Sequence, residues 1–371
     1  MKTLPSPTEE RKSDHLKIGL KENVQAKKTT TGFEDVHLVH KALPEIEREK
    51  IDLSTIAFDH KFSAPLIVGA MTGGVPEARK INKAIAEAVE QLGLGMGVGS
   101  QRAAIEDPSL ENTFAVTRKK APTAFLIANI GGPQLVRGYG AKEAHKAVEM
   151  MGANALAIHL NPLQETIQLD GETDYTGILN KIGEIAEAID VPVIVKETGA
   201  GIAAEDAKLV EDAGVAGIEV AGAGGTSWAA VEYHRAKRDQ DELRQRLGEV
   251  FWDWGIPTVA SLVETVQSVK LPIIASGGVR SGIDVAKALA LGASLAGMAL
   301  PILPSAIKGE KEVKKVLQLV LEELRNAMFL VGAGSVREMK AVPAVITGRT
   351  AEWLRIRGFH PEIYAKKEKV I

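Results

Sequence analysis

The chain contains no cysteine. That absence excludes disulfides, thiolate-bound metals, iron–sulfur clusters and a cysteine nucleophile, and it fits a cytoplasmic protein. An excess of charge of one sign is missing too: 45 Lys and Arg stand against 48 Asp and Glu, a formal charge of -3. Such a balance offers no global basic field for nucleic acid or an anionic membrane. Neither is therefore expected as a partner, and phosphate chemistry has to come from local sites. Residues 1–28 are polar and charged, without the apolar stretch of a signal peptide. One uncharged run, 288–307, is long enough for a membrane span. It is interrupted by Gly292, Gly297, Pro301 and Pro304, and Leu295–Leu300 reads better as a buried strand.

What is present is ample core material: 371 residues, 45% hydrophobic and 25% charged, near the globular average. Short, continuously apolar runs recur at Leu66–Gly69, Gly95–Val98, Phe125–Asn129, Ala155–Leu160, Val193–Lys196, Gly217–Val220, Ile273–Ser276 and Leu295–Leu300. Unbroken apolar character, rather than alternation, marks parallel strands buried on both faces. Between them, Glu77–Leu92, Ala141–Met151, Ile178–Ile189, Ala203–Ala213 and Ser281–Leu291 carry apolar residues at helical spacing. Eight strands alternating with helices predict an α/β fold, a (β/α)8 TIM barrel; a doubly wound sheet is the alternative. Two segments fall outside the repeat. Residues 1–60 precede the first strand, as an N-terminal arm and barrel-capping segment, leaving 61–371 as the barrel. A long loop after strand 6 passes through the charged stretch Glu232–Arg246 to Asp253-Trp254-Gly255. Helix Glu310–Val331 is expected to cover a barrel face.

Barrel chemistry sits at the carboxyl ends of the strands. Ser276-Gly277-Gly278 leading into helix 281–291, beside Met298-Ala299, has the composition of a phosphate cradle made from backbone amides and a helix N-terminus. Lys196 ends an apolar strand, where an unpaired ammonium is costly. It reads either as the partner of a nearby carboxylate or as a cation beside the electron-rich edge of a flavin, with Asn129 at the ring edge and Met71-Thr72 on its face. Taken alone, Met71 would be ordinary core filling. Glu165, with His159, Asn161 and Gln164 close by in sequence, suits Mg2+ held by one carboxylate and phosphate oxygens. His159 by itself reads equally as a structural histidine, and Arg11-Lys12-Ser13-Asp14-His15 as a charged tail.

Together these motifs carry more. Arg11-Lys12 with His15, Met71-Thr72-Gly73-Gly74, Gly99-Ser100-Gln101-Arg102, His159-Leu160-Asn161-Pro162 with Gln164-Glu165, Val195-Lys196-Glu197, Gly224-Gly225-Thr226-Ser227-Trp228 and Ser276-Gly277-Gly278-Val279-Arg280 follow one another in this order. The series resembles the type 2, FMN-dependent isopentenyl diphosphate isomerases over about residues 8–360. Thr198 stands where some relatives have Ser. The resemblance implies interconversion of isopentenyl and dimethylallyl diphosphate, in isoprenoid biosynthesis, by a 1,3-allylic proton shift. It implies FMN in its reduced form, Mg2+, and NADPH or NADH as reductant. It implies FMN contacts at Ala70, Met71, Thr72, Ser100, Asn129, Lys196, Thr226, Gly277, Gly278, Arg280, Met298 and Ala299. Substrate contacts fall at Arg11, Lys12, His15, Ser100, Gln101, Arg102, His159, Asn161 and Gln164. Gln164 and His159 take catalytic roles, Glu165 binds metal, and the assembly is a homo-oligomer, often an octamer. A flavin-dependent hydroxy-acid oxidase would share barrel and cradle but needs a histidine base that the sixth and seventh strand ends do not offer. A non-catalytic flavoprotein would have no use for a diphosphate clamp.

Overall fold

A computed structural model describes residues 7–367; residues 1–6 and 368–371, the outermost parts of the two expected segments, lie outside the described residues. Eight strands close into a parallel barrel: β1 (Leu66–Val68), β2 (Gly95–Gly97), β3 (Phe125–Gly131), β4 (Ala155–His159), β5 (Val193–Lys196), β6 (Gly217–Glu219), β7 (Ile273–Ala275) and β8 (Leu295–Met298). Closure is made where β8 pairs with β1 in the register Ala296↔Leu66 and Met298↔Val68. Every strand residue except His159 is buried. Residues pointing inward, among them Ile67, Phe125, Ile127, Ala157, Ile194, Ile274 and Leu295, form one apolar cluster. Their outward neighbours, such as Leu66, Val68, Leu126, Leu156 and Val195, pack under the helices. The period of two is therefore satisfied on both faces by apolar residues, which is why the runs read as continuous.

A hairpin of Thr55–Ala57 and His60–Phe62 plugs the amino-terminal end of the barrel. Phe58 and Phe62 lie 5.9 and 5.2 Å from the Phe125 ring, at the start of β3. Helix Glu310–Leu330 differs from the expectation that it covers a barrel face. It buries Val313, Leu317, Val320 and Leu324 between helices Gly282–Ala290 and Pro76–Leu92. It is the last helix of the ring, after β8, and its neighbours are the helices of the seventh and first units. The uncharged run 288–307 is split among a helix end, β8, a short helical turn and the helix Leu303–Lys308. Among the described residues no helix is long and apolar enough to cross a membrane.

At the opposite, carboxyl-terminal end lie three helices that carry the site. Helix α1 (Pro7–Lys21) is the N-terminal arm, α2 (Pro162–Ile167) follows β4, and α3 (Trp228–Arg238) opens the long loop after β6. Ile18, Val24, Ala230, Val231 and Trp252 form an apolar cluster between α1 and the loop. Asp14 pairs with Arg238 at 2.5 Å. Asp253 accepts the N–H groups of Lys27, Lys28 and Thr29 at 2.7–3.1 Å. The arm, whose apolar residues find no partner within its own helix, is ordered by this excursion.

Candidate active site

The strand ends, α1, α2 and α3 enclose a cavity of about 280 Å³. Arg11, Lys12 and His15, then Leu16 and Gly19, line it from one face of α1. Positions four apart on a helix share a face, so the arm presents a cationic half followed by an apolar half. Arg102 and Lys196 add cations from the barrel side; among carboxylates only Glu165 and Glu219 line the cavity within the described residues. Opposite charge at close range suits an anion with several negative oxygens.

Lys12 donates to the Ser100 carbonyl at 2.5 Å and lies 5.4 Å over the Phe114 ring. Burial, with Arg11 next to it, pulls its ammonium down to about 7. His159 Nδ1 meets Asn129 Oδ1 at 2.8 Å. An amide oxygen accepts only, so Nδ1 carries the proton. Burial and then Lys196 push His159 down to about 3, which makes the ring neutral at physiological pH.

On α2, Glu165 is buried and fully engaged on its protein side. Its oxygens accept from Asn161 Nδ2 at 2.8 Å, Gln168 Nε2 at 2.5 Å and the Glu172 N–H at 2.7 Å. Among the described residues no group of three or more His, Asp or Glu could hold a metal alone, so a cation here has to draw ligands from a bound anion or water. Gln164 is oriented from both ends: Asn161 Nδ2 donates to its Oε1 at 3.1 Å, and its Nε2 donates to Glu232 Oε1 at 3.0 Å. Glu232 also accepts from His15 Nε2 at 2.8 Å and from Arg235 Nη1 at 2.6 Å. Burial would raise its carboxyl, but these partners, His15 foremost, hold it down at about 2.

Ala70, Met71, Thr72, Ser100, Asn129, Lys196, Thr226, Gly277, Gly278, Arg280, Met298 and Ala299 all line the cavity too. Lys196 Nζ donates to the Glu197 carbonyl at 2.7 Å, a backbone contact rather than the carboxylate pairing open from sequence. Glu197 turns the chain after β5 by accepting the N–H groups of Thr198, Gly199 and Ala200 at 2.5–2.6 Å. Gly277 has φ +97°, and a Cβ there would overlap the backbone of Gly222. Only glycine lets the β6 and β7 loops approach this closely. Among the described residues the N–H groups of Gly278 and Val279 have no backbone or side-chain acceptor, leaving two amide donors in the loop beside Arg280.

Two expectations need correction. Gln101 does not line the cavity. It is fully buried, donates to the Ala147 carbonyl at 2.8 Å and accepts the Asn129 N–H at 2.8 Å, so it braces β3 instead of reaching a substrate. The N-terminus of helix Gly282–Ala290 is also occupied by the protein itself. Ser281 and Asp284 form a capping box, Asp284 accepts the Arg280 N–H, and Glu323 accepts the Gly282 N–H at 2.6 Å. The cradle is therefore built from loop amides, without that helix end. Sequence reading missed Glu232, although Trp228, Val231, Glu232 and Arg235 share helical spacing. It also missed Gln134, Gln168 and Glu172, which sit in polar segments with no periodic signal.

The pattern of the FMN-dependent dehydrogenase family matches residues 141–345. Solved structures of mandelate oxidase (TM-score 0.62, 20% identity, 90% of this chain and 92% of that one) and flavocytochrome b2 (0.66, 18%, 91% and 83%) share the fold. Much nearer in sequence is the isopentenyl-diphosphate delta-isomerase of Methanosarcina barkeri, 51% identical over 97% of this chain and 98% of the relative. That of Methanothermobacter thermautotrophicus is 52% identical over 96% and 99%, and that of Pyrococcus furiosus 50% over 97% and 92%. At this identity over essentially the whole length, with the strand-end residues gathered in one cavity, the chain is an enzyme belonging to the type 2, FMN-dependent isopentenyl-diphosphate delta-isomerase family.

Proposed function

We propose that this enzyme interconverts isopentenyl and dimethylallyl diphosphate using reduced FMN and Mg2+, with NADPH or NADH serving only to reduce the flavin. The observation that carries the reading is one cavity lined both by a cationic cluster (Arg11, Lys12, Arg102) and by the Gly277–Arg280 loop, Lys196 and Asn129. A hydroxy acid offers a single carboxylate, whereas three cations suit the several negative oxygens of a diphosphate.

The residues present fit both FMN and Mg2+. The amides of Gly278 and Val279, with Arg280, would hold the flavin phosphate, and Lys196, Asn129, Thr72 and Ser100 the ring system. Reduced FMN supplies an electron-rich ring against positive charge developing on the alkene, and a proton-carrying nitrogen. Glu165 would hold Mg2+, which characteristically takes one or two carboxylates and completes its shell with phosphate oxygens and water. Arg11, Lys12 and Arg102 bind the diphosphate, so remote binding energy positions the double bond. His159, neutral, acts through hydrogen bonds rather than charge. Gln164, fixed by Asn161 and Glu232, orients the reacting end, and Leu16, Trp228 and Val231 keep water from it. One carbon of the alkene gains a proton and the carbon two bonds away loses one, so electrons are conserved overall. The same reading carries a cytoplasmic homo-oligomer, an octamer by resemblance to the family.

The test follows from that balance. Under strict exclusion of oxygen, flavin reduced once with dithionite should support many turnovers of isopentenyl diphosphate with no NADPH added. If product formation instead stopped at one turnover per reduced flavin and resumed only on addition of NADPH, one for each product, the isomerase reading would be wrong.

A further inference from the structure

Resting on the diphosphate reading of the cavity, we propose that Glu172 is a positioning residue that sets the anion-binding Arg102 and the metal-binding Glu165 relative to each other. Glu172 lies in the irregular segment after α2, yet its side chain is only 7% exposed. A carboxylate buried from a loop is costly unless paired, and here the partners are specific. Its Oε1 accepts from Arg102 Nη1 at 2.8 Å and from Arg137 Nη1 at 3.0 Å, and its Oε2 from Gln134 Nε2 at 2.5 Å.

Arg102 spends Nε on Glu106 and Nη1 on Glu172. Its Nη2 has no partner among the described residues, although the side chain lines the cavity. The two carboxylates thus fix the guanidinium plane and leave one edge for an anion. At the same time the Glu172 N–H is one of the three donors that orient the Glu165 carboxylate. Where the Glu172 side chain is pinned, its backbone is pinned, and with it Glu165. Diphosphate and Mg2+ bind as a unit, so the spacing between Arg102 and Glu165 governs both. Glu172 touches neither ligand, and it acts through these two residues.

The experiment is calorimetric titration of the FMN-loaded enzyme with inorganic pyrophosphate and Mg2+, alongside steady-state kinetics. Glu172→Gln should weaken pyrophosphate binding at least tenfold and raise KM by a similar factor, while kcat changes less than threefold and flavin affinity stays the same. Arg137→Ala removes only the outer, solvent-facing partner and should change binding less than twofold. In an Arg102→Met background, Glu172→Gln should lose the share of its effect that runs through Arg102 and keep only the share through Glu165, so it should weaken binding by a smaller factor than in the wild type. Binding by Glu172→Gln within twofold of wild type, or a fully additive effect in the Arg102→Met background, would overturn the proposal. If Glu172→Gln does not fold, Glu172→Asp keeps the charge but shortens its reach. It should weaken binding at least threefold, and unchanged binding would refute the role. Pyrophosphate binding is read without turnover. An enzyme that binds it but does not isomerise would therefore fail the functional reading and leave this one standing.

Discussion

Lys12 offers a quantitative test of the proposal that the cavity binds an alkyl diphosphate. Its ammonium is enclosed between the Ser100 carbonyl and the Phe114 ring, beside Arg11, and is pulled from 10.5 to about 7. An alkyl diphosphate binding next to it supplies the missing counter-charge and returns it toward its ordinary value. At pH 8 about one-tenth of the free enzyme carries the Lys12 proton, so binding should take up about 0.9 proton; at pH 6 the uptake should be about 0.1. The sign is fixed by a pKa that rises on binding: affinity is full below pH 7 and is lost as pH rises through it. The slope above pH 7 is about tenfold, or about 1.4 kcal/mol, per pH unit. The assay is calorimetry with isopentenyl diphosphate on the oxidised enzyme, in two buffers of different protonation enthalpy, at pH 6 and pH 8. His159, held at about 3, is too far below this window to contribute the uptake. Lys12→Met should abolish the buffer dependence at pH 8. Heats at pH 8 that are identical in both buffers, with binding retained, would refute the argument.

Three further outcomes are expected. Glu165→Gln keeps the volume but loses the charge; it should fold and bind flavin, with activity reduced at least tenfold, about 1.4 kcal/mol of transition-state stabilisation, and unchanged activity across a Mg2+ titration would exclude the metal role. Gly277→Ala places a Cβ at positive φ against the backbone of Gly222, costing roughly 2–5 kcal/mol from left-handed strain and overpacking; thermal unfolding and flavin retention should both drop, and an unchanged melting temperature would count against the tight loop approach. Glu232, depressed from 4.5 to about 2, stabilises the fold above its unfolded value, and that contribution, of order 3 kcal/mol, should vanish as pH falls through 2; in Glu232→Gln the acid unfolding curve should lose this component between pH 4.5 and 2.

Much of the architecture was legible locally. A strand buried on both faces has to be apolar at every position, and the turns that follow have to be glycine or small polar residues; both leave marks within a few residues of one another. The eight runs therefore matched β1–β8 to within one or two residues at their ends. Because barrel enzymes work at their strand ends, candidates could be named after those runs, and every residue expected to contact flavin, substrate or metal lines the cavity except Gln101.

The tertiary structure decided what depends on distant partners. Closure rests on β8 meeting β1, and only then does Glu310–Leu330 find its place between the helices of the seventh and first units. Gln101 turned inward because the Asn129 N–H and the Ala147 carbonyl needed partners. The amides at the start of Gly282–Ala290 were consumed by Ser281, Asp284 and Glu323, the last from a helix some forty residues away. Glu232 and Glu172 carry the largest surprise. In sequence, a carboxylate within a charged stretch or a polar loop reads as solvated surface, since exposure is its lowest free energy when no partner is known. Glu232 is buried because His15, 217 residues earlier, arrives on α1, and Glu172 because Arg102, 70 residues earlier, arrives from the end of β2. Apolar burial is set by each residue's own transfer free energy and shows in the local pattern; burial of charge is set by pairing, and pairs exist only once the chain has folded.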